Sequence, residues 1–429
     1  MIAELLVLFG VLLLGLGLGL PVFLAMSGAA AAYTLAFWPK VPTFIVGQGF
    51  VQGLDSYNFA AIVFFFLVGE VMNAGGISQR LMRFARACVG HVRGGLSHVN
   101  ILARMVFAGV SGSAAADAAA IGSVMIPAMK REGYPAAYAA AVTAASATIG
   151  PIIPPSIPLV VFGLFALTSI GKLFVAGVVP GLLMGLFLLV ASYVISRRRG
   201  YPAAAWVGWR ELGRAAGSSL LALAMPLIVV IGLVGGVATV TEVGAVATVY
   251  AIVVSTLIYR ELDLGGLWQS FIRAGTDAAK VLAIISIAGL FIWIVGNMGL
   301  ARALAGWVGG LTGDPLLVLA IFAAALLVAG TVLPPVTILV VLVPLMIPTA
   351  LAVGIDLTQF GIVAVLATLL GLITPPVGFL IYLTAAQAGA QVHHEVRELV
   401  PFITALMLLL AALVLFPPLT LWLPGLFFG

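Results

Sequence analysis

The hydroxyls of Ser111, Ser113, Thr148 and Ser156 and the carboxylate of Asp117 all stand beside residues that stop a helix. Gly112 separates the first two serines, and the run Gly150-Pro151-Ile152-Ile153-Pro154-Pro155-Ser156-Ile157-Pro158 follows Thr148. No continuous helix survives Pro151, Pro154, Pro155 and Pro158, because each proline lacks an N–H donor and clashes with the preceding turn. A break of this kind frees main-chain carbonyls, here those of Gly150 and Ile153, and free carbonyls with hydroxyls are hard oxygen ligands suited to Na⁺. The opposite end of a helix presents N–H groups and suits a carboxylate. The same geometry therefore serves a cation and an anion. The plainer alternative is that each hydroxyl satisfies a carbonyl of its own helix.

Asp117 is flanked by alanines, and Arg104 lies on the opposite arm of the same segment. Charges in so apolar a setting are costly and usually functional. Either the two form an ion pair that braces the segment, or one of them, Arg104 above all, helps attract an anionic substrate. Glu70 and Glu242 read as packing or interface charges, and His393-His394 with Glu395, Arg397 and Glu398 reads as a solvated loop. Cys88, the single cysteine, excludes an intrachain disulfide and reads as an unreactive thiol. No phosphate-binding loop, metal motif or nucleophile elbow is present in the sequence, so neither an enzyme nor ATP hydrolysis by this chain is indicated, and no cofactor is expected.

The elements that must position these residues occur twice. Residues 108–155 align without a gap on 329–376, pairing Gly109 with Gly330, Met125-Ile126-Pro127 with Met346-Ile347-Pro348, Gly133 with Gly354, Gly150 with Gly371, and Pro154-Pro155 with Pro375-Pro376. The second copy supplies Gly330, Leu333, Pro334, Gly371, Thr374, Pro375, Pro376 and Gly378. It carries fewer hydroxyls: Ser111-Gly112-Ser113 faces Val332-Leu333-Pro334 in the same register. Paired interrupted segments at matching places in an apolar chain point to a transporter's central site. One cation is expected near Ser111, Ser113, Gly150 and Ile153, and a second near Gly330, Leu333, Gly371 and Thr374.

The chain is 63% hydrophobic and 8% charged, too little polar surface to cover a 429-residue protein in water. Apolar runs of about 20 residues indicate helical spans in lipid, not a barrel of alternating strands. The first forty residues lack a basic leader and read as two spans, not as a signal peptide. Basic residues gather in loops, where they set orientation and call for no nucleic acid partner. Residues 1–57 are expected to be N-terminal scaffold helices. Residues 58–196 form a first repeat with a hairpin at 95–129 and a broken helix at 135–167. Residues 197–278 are linker and scaffold, and 279–429 form a second repeat with a hairpin at 315–350 and a broken helix at 355–388. The segment 95–129 is too long for one crossing and has basic residues at both feet, Arg93 before it and Lys130-Arg131 after it, so it must fold back. The second hairpin opens from the other side. The fold class is thus an all-α polytopic membrane protein, an inverted repeat with two re-entrant hairpins and two broken helices.

The run from Gly109 to Gly122, followed by Ile126-Pro127-Ala128-Met129-Lys130, Gly133-Tyr134, Ala139-Ala140-Ala141-Val142-Thr143-Ala144 and Gly150 to Pro158, resembles the large membrane subunit of tripartite ATP-independent periplasmic (TRAP) transporters. Gly371-Leu372-Ile373-Thr374-Pro375-Pro376-Val377-Gly378 also fits, and the resemblance covers nearly the whole chain. It implies a Na⁺-driven importer of an organic acid in the bacterial inner membrane. Its expected partners are a small four-helix membrane subunit, a periplasmic substrate-binding protein and the surrounding lipid. The fold it implies is a scaffold with an elevator-type transport domain, whose ion and substrate region falls on Ser111, Ser113, Asp117, Gly150 to Ser156, Gly330 to Pro335 and Gly371 to Gly378. The chain departs from the family pattern at Arg104, Pro334, Ala367 and Leu380, which leaves the second half less polar than the resemblance implies. The competing readings are a stand-alone Na⁺/dicarboxylate symporter, which needs no binding protein, and a passive ion channel.

Overall fold

The computed structural model describes residues 2–38, 43–236 and 238–428, except for the side chains of residues 43, 45 and 109–111. The described residues form helices joined by turns, with no strand among them. Seven of the helices are long and apolar enough to cross a membrane, which makes this a multi-pass membrane protein.

Helices α1 (Ile2–Gly17) and α2 (Val22–Phe37) pair with each other, and α3 (Thr43–Gln52) leads to α4 (Ala60–Ala74). These pack with α11 (Trp209–Val234), α12 (Val240–Val253) and the long α13 (Leu264–Asn297) into one bundle. The basic stretch after α4 is itself a helix, α5 (Ile77–Val89). It turns Ile77, Leu81 and Ala85 inward and is cationic on its other side. Burial pushes the Cys88 thiol of α5 up, away from the thiolate form.

The rest of the chain builds a second body. It comprises α6 (Gly95–Ser111), α7 (Ala114–Arg131), α8 (Ala136–Ala147), α9 (Ile157–Phe165) and α10 (Ile170–Arg199). Their counterparts follow α14 (Leu300–Leu311): α15 (Pro315–Gly330), α16 (Pro335–Ala352), α17 (Leu357–Gly371), α18 (Phe379–Ala388) and α19 (Val392–Leu415). Helices α7 and α16 start 221 residues apart, as do α8 and α17, so the sequence register is also the structural one. Gly133 and Gly354 make equivalent left-handed turns at φ +87° and +80°, a conformation in which a Cβ is strained. The peptide bonds Pro154–Pro155 and Pro375–Pro376 are both cis. The copies interlock: α9 packs on α16, and α18 packs on α7 and α8.

Ion pairs mark one end of the molecule. Arg80 meets Glu261 at 2.6 Å, Arg83 meets Glu211 at 2.5 Å, and Arg199 at the end of α10 meets Glu398 at the start of α19 at 2.7 Å. The turn into α8 lies here, with the Tyr134 ring 4.7 Å from that of Tyr201. Helix α17 starts at the far end, where Gln359 donates to the carbonyl of Leu413 near the end of α19. Helices α8 and α17, which lead into the two breaks, thus start at opposite ends.

One expectation needs correction in part. Residues 392–398 are not a loop, although His393, His394 and Arg397 are exposed as expected. They open α19, and Glu395 is fully buried, 2.5 Å from the Thr384 hydroxyl. Helix α19 ends at Leu415, and a short α20 (Pro418–Phe428) follows. Pro417 and Pro418 deny the helix two N–H donors in succession.

Candidate functional site

The first hairpin turns at Gly112, whose φ of +60° a side chain would strain. Ser113 then caps α7, its hydroxyl accepting from the Ala116 amide at 3.4 Å. A Cβ on Gly112 would lie 3.3 Å from the Pro155 carbonyl and the Ile157 side chain, so this tip rests against the first broken helix. In that break Ser156 donates to the Pro151 carbonyl and accepts from Leu159 N at 3.2 Å, which starts α9.

The second hairpin turns between Gly330 and Pro335, and its α16 has Pro334 at the cap and Pro335 in the first turn, with no side-chain cap. Gly378 N donates to the Thr331 carbonyl at 2.9 Å and fastens this tip to the second break. Gly371 and Gly330 touch backbone to backbone: a Cβ on Gly371 would overlap the Gly330 main chain, and one on Gly330 would overlap the Thr368 carbonyl.

A cavity of about 310 Å³ lies where the tips and breaks converge. Gly112, Ser113, Pro151, Gly330, Leu333 and Pro334 all line it, which brings together residues from both copies. Helix starts meet at its wall: α7 through Ala114 and Ala115, α9 through Ile157, α16 through Val336 and α18 through Phe379. Phe66 of α4 and Val281 of α13 close it from the first bundle.

An adjoining cavity of about 330 Å³ shares Phe66, Ser113, Ala115 and Val281 with the first. It runs between α7 and the first bundle and holds the charged side chains of Asp117, Glu70, Asp277 and Lys280. Lys280 and Asp277 pair at 2.7 Å. Glu70 thus faces a cavity as well as its packing neighbours. Sequence reasoning passed over Phe66, Asp277, Lys280 and Val281, because they reach the site by packing of distant segments, which leaves no spacing signal.

Asp117 and Arg104 are both fully buried and interact electrostatically. Arg104 Nε donates to Asn100 Oδ1 at 3.1 Å, and Asn100 Nδ2 donates to Thr143 Oγ1 at 2.8 Å. The carboxylate of Asp117 sits against Gly150, leaving no room there for a Cβ. Arg104 lines neither cavity.

The remaining expected residues do not line the first cavity. Thr148 donates to the Ala145 carbonyl and Thr374 to the Leu370 carbonyl, each at 2.7 Å. Both hydroxyls therefore satisfy their own helix while keeping oxygen lone pairs for a second partner. Ile153 packs toward Gly181 of α10. Pro154, Pro155, Pro375 and Pro376 shape the two breaks. Ser111 ends α6, and its side chain lies outside the described residues.

Comparison with known proteins identifies the family of the chain. Residues 9–419 match the family described as tripartite ATP-independent periplasmic transporter, DctM component. The chain is 37% identical over 411 residues to the sialic acid TRAP transporter large permease protein SiaM of Vibrio cholerae, covering 96% of each. It is 38% identical over 371 residues to the C4-dicarboxylate TRAP transporter large permease protein DctM of Pseudomonas aeruginosa, covering 86% of this chain and 87% of that one. In fold it is similar to the crystal structure of the YdaH transporter of Alcanivorax borkumensis, with a TM-score of 0.63 at 15% identity over 86% of each chain. The chain belongs to the tripartite ATP-independent periplasmic transporter family, as a large membrane permease subunit and not an enzyme.

Proposed function

We propose that this permease couples Na⁺ entry to import of an organic acid across the bacterial inner membrane, together with a small membrane subunit and a periplasmic binding protein. The observation that carries this reading is a cavity at which both hairpin tips meet both helix breaks. A break inside a membrane leaves main-chain groups that cost several kcal/mol each, on the order of 2–7, unless something satisfies them. Cargo with charge does so. Sodium ions are held by carbonyls and hydroxyls at the ends of α6 and α8, and of α15 and α17. The substrate carboxylate lies against helix starts at the cavity wall.

The body formed by α6–α10 and α15–α19 is the moving part, and the bundle of α1–α4 and α11–α13 is the scaffold. The hairpins are re-entrant, the first open to the cytoplasm and the second to the periplasm. Basic residues support this orientation, since Arg83, Arg199 and Arg260 belong to the ion-paired end. The cavity between α7 and the scaffold, which carries Glu70, Asp277 and Lys280, follows the first hairpin toward that end and provides the release route.

Uptake into proteoliposomes containing both membrane subunits tests the whole. Uphill accumulation is expected only with an inward Na⁺ gradient and a liganded binding protein. Accumulation without the binding protein would instead support a stand-alone symporter, and flux that never exceeds equilibrium would support a channel.

A further inference from the structure

The central cavity is unusual for a site meant to hold a charged cargo. Its described lining includes no charged side chain, and its polar side chains are Ser113 and Thr331. The rest of the wall is glycine, alanine, proline and larger apolar groups, among them Phe66, Leu333, Val336, Leu369, Leu372 and Phe379. Its volume, about 310 Å³, lies at the small end of the ~300–1,000 Å³ typical of small-molecule sites.

The donors available to an anion are unequal between the copies. Helix α7 brings the first-turn amides of Ala114 and Ala115 to the wall, where N–H groups have no partner within the helix. The equivalent start of α16 is Pro334-Pro335, two residues without an N–H, so its first amide at the wall is that of Val336. In α9 the Leu159 amide is taken by Ser156, and in α18 Leu380 N donates to the Leu372 carbonyl at 3.0 Å. Lys280 lies in the adjoining cavity and is matched by Asp277, while Arg104 is buried away from the wall. An anion therefore finds main-chain amides at helix starts here and no cationic side chain. A second carboxylate would be desolvated without a countercharge, and a row of hydroxyls would face hydrocarbon.

We infer that the chamber is selective for organic acids with one carboxylate and a small apolar body, over dicarboxylates and polyhydroxylated acids. This rests on the proposal that the cavity is the substrate chamber. The test is thermal stabilisation of the purified two-subunit membrane complex in saturating Na⁺ by 4-methyl-2-oxopentanoate, succinate and gluconate. The binding protein is left out, so the ranking reports the chamber alone.

Half-maximal stabilisation by 4-methyl-2-oxopentanoate is expected at a concentration at least about tenfold below that for succinate or gluconate, the penalty for one unpaired charged group. Val332→Ser, which copies Ser111 of the first tip into the second, is expected to narrow the gap to gluconate. Succinate or gluconate acting at an equal or lower concentration would overturn the selectivity and leave Na⁺-driven uptake untouched. No response to any acid, with uptake still present in proteoliposomes, would place the substrate elsewhere and overturn the inference alone. Loss of Na⁺-driven uptake itself would remove the transport reading and this one with it.

Discussion

The two copies share a backbone and differ in chemistry. In the first, Asn100, Arg104, Asp117, Thr143 and Ser146 form a buried polar layer behind the hairpin tip. In the second, the same register positions are Ile321, Ala325, Ile338, Ala364 and Ala367. The tips follow suit, with Ser111-Gly112-Ser113 against Val332-Leu333-Pro334. Duplication has kept what holds the breaks open, namely the glycines and prolines. The charge has been gathered on one side of the site. The first copy is therefore a place where electrostatics governs stability, and the second a place where close packing does.

The largest effect should come from the polar layer. Removing one member of a buried charged pair leaves the other uncompensated, at about 3–5 kcal/mol. Arg104→Ala is expected to lower the stability of the detergent-purified protein by that amount, read as a large fall in unfolding temperature. The double variant Arg104→Ala/Asp117→Ala should recover most of it, because an apolar replacement of such a pair is often neutral. A loss below about 1 kcal/mol in the single variant would show that Asp117 finds its countercharge elsewhere, and would break the contrast between the copies.

Packing governs the next effect. Gly371 touches the Gly330 backbone, which cannot move aside, whereas Gly150 abuts the Asp117 side chain, which has torsional freedom. Gly371→Ala should therefore destabilise by the upper part of the ~1–3 kcal/mol range for overpacking, and Gly150→Ala by the lower part. Uptake by the two variants should rank the same way. Equal losses would mean that the polar layer is as rigid as the backbone contact.

The hairpins and breaks were legible in the sequence because glycine and proline act locally: Gly112, the prolines at 151–158 and their mates at 371–378 dictate where a helix stops whatever surrounds them. Polarity could be compared copy against copy because the register has no gap. What was not legible depends on contacts between distant segments. The arginines of α5 hide a helix whose inner face holds Ile77, Leu81 and Ala85. Glu395 looks solvated beside His393 and His394 until α18 covers it. Phe66 and Lys280 join the site only through packing of α4 and α13 against the hairpins.

A smaller effect separates the tips. Ser113→Ala removes the cap of α7, whose 3.4 Å bond is long, so the stability cost should be near the low end of the ~0.5–2 kcal/mol range. If Ser113 also ligates the proposed cation, the Na⁺ concentration for half-maximal uptake should nevertheless rise. A stability loss with no change in Na⁺ dependence would reduce Ser113 to a capping residue and move the cation site off the first tip.

Thr374 offers the finest discrimination, because its hydroxyl already donates to the Leu370 carbonyl at 2.7 Å. If the second cation site is built from carbonyls, as the scarcity of hydroxyls around Gly330, Leu333 and Gly371 argues, Thr374→Val removes one helix hydrogen bond and no essential ligand. The stability change is then about 0.5–1.5 kcal/mol, and the Na⁺ requirement for uptake stays within about twofold of the parent. A tenfold rise would correspond to ~1.4 kcal/mol of lost ion binding and would make the hydroxyl a true ligand. The second copy would then hold a cation by side-chain chemistry after all. The division between an electrostatic first half and a packed second half would survive at the hairpin tips but not at the helix breaks.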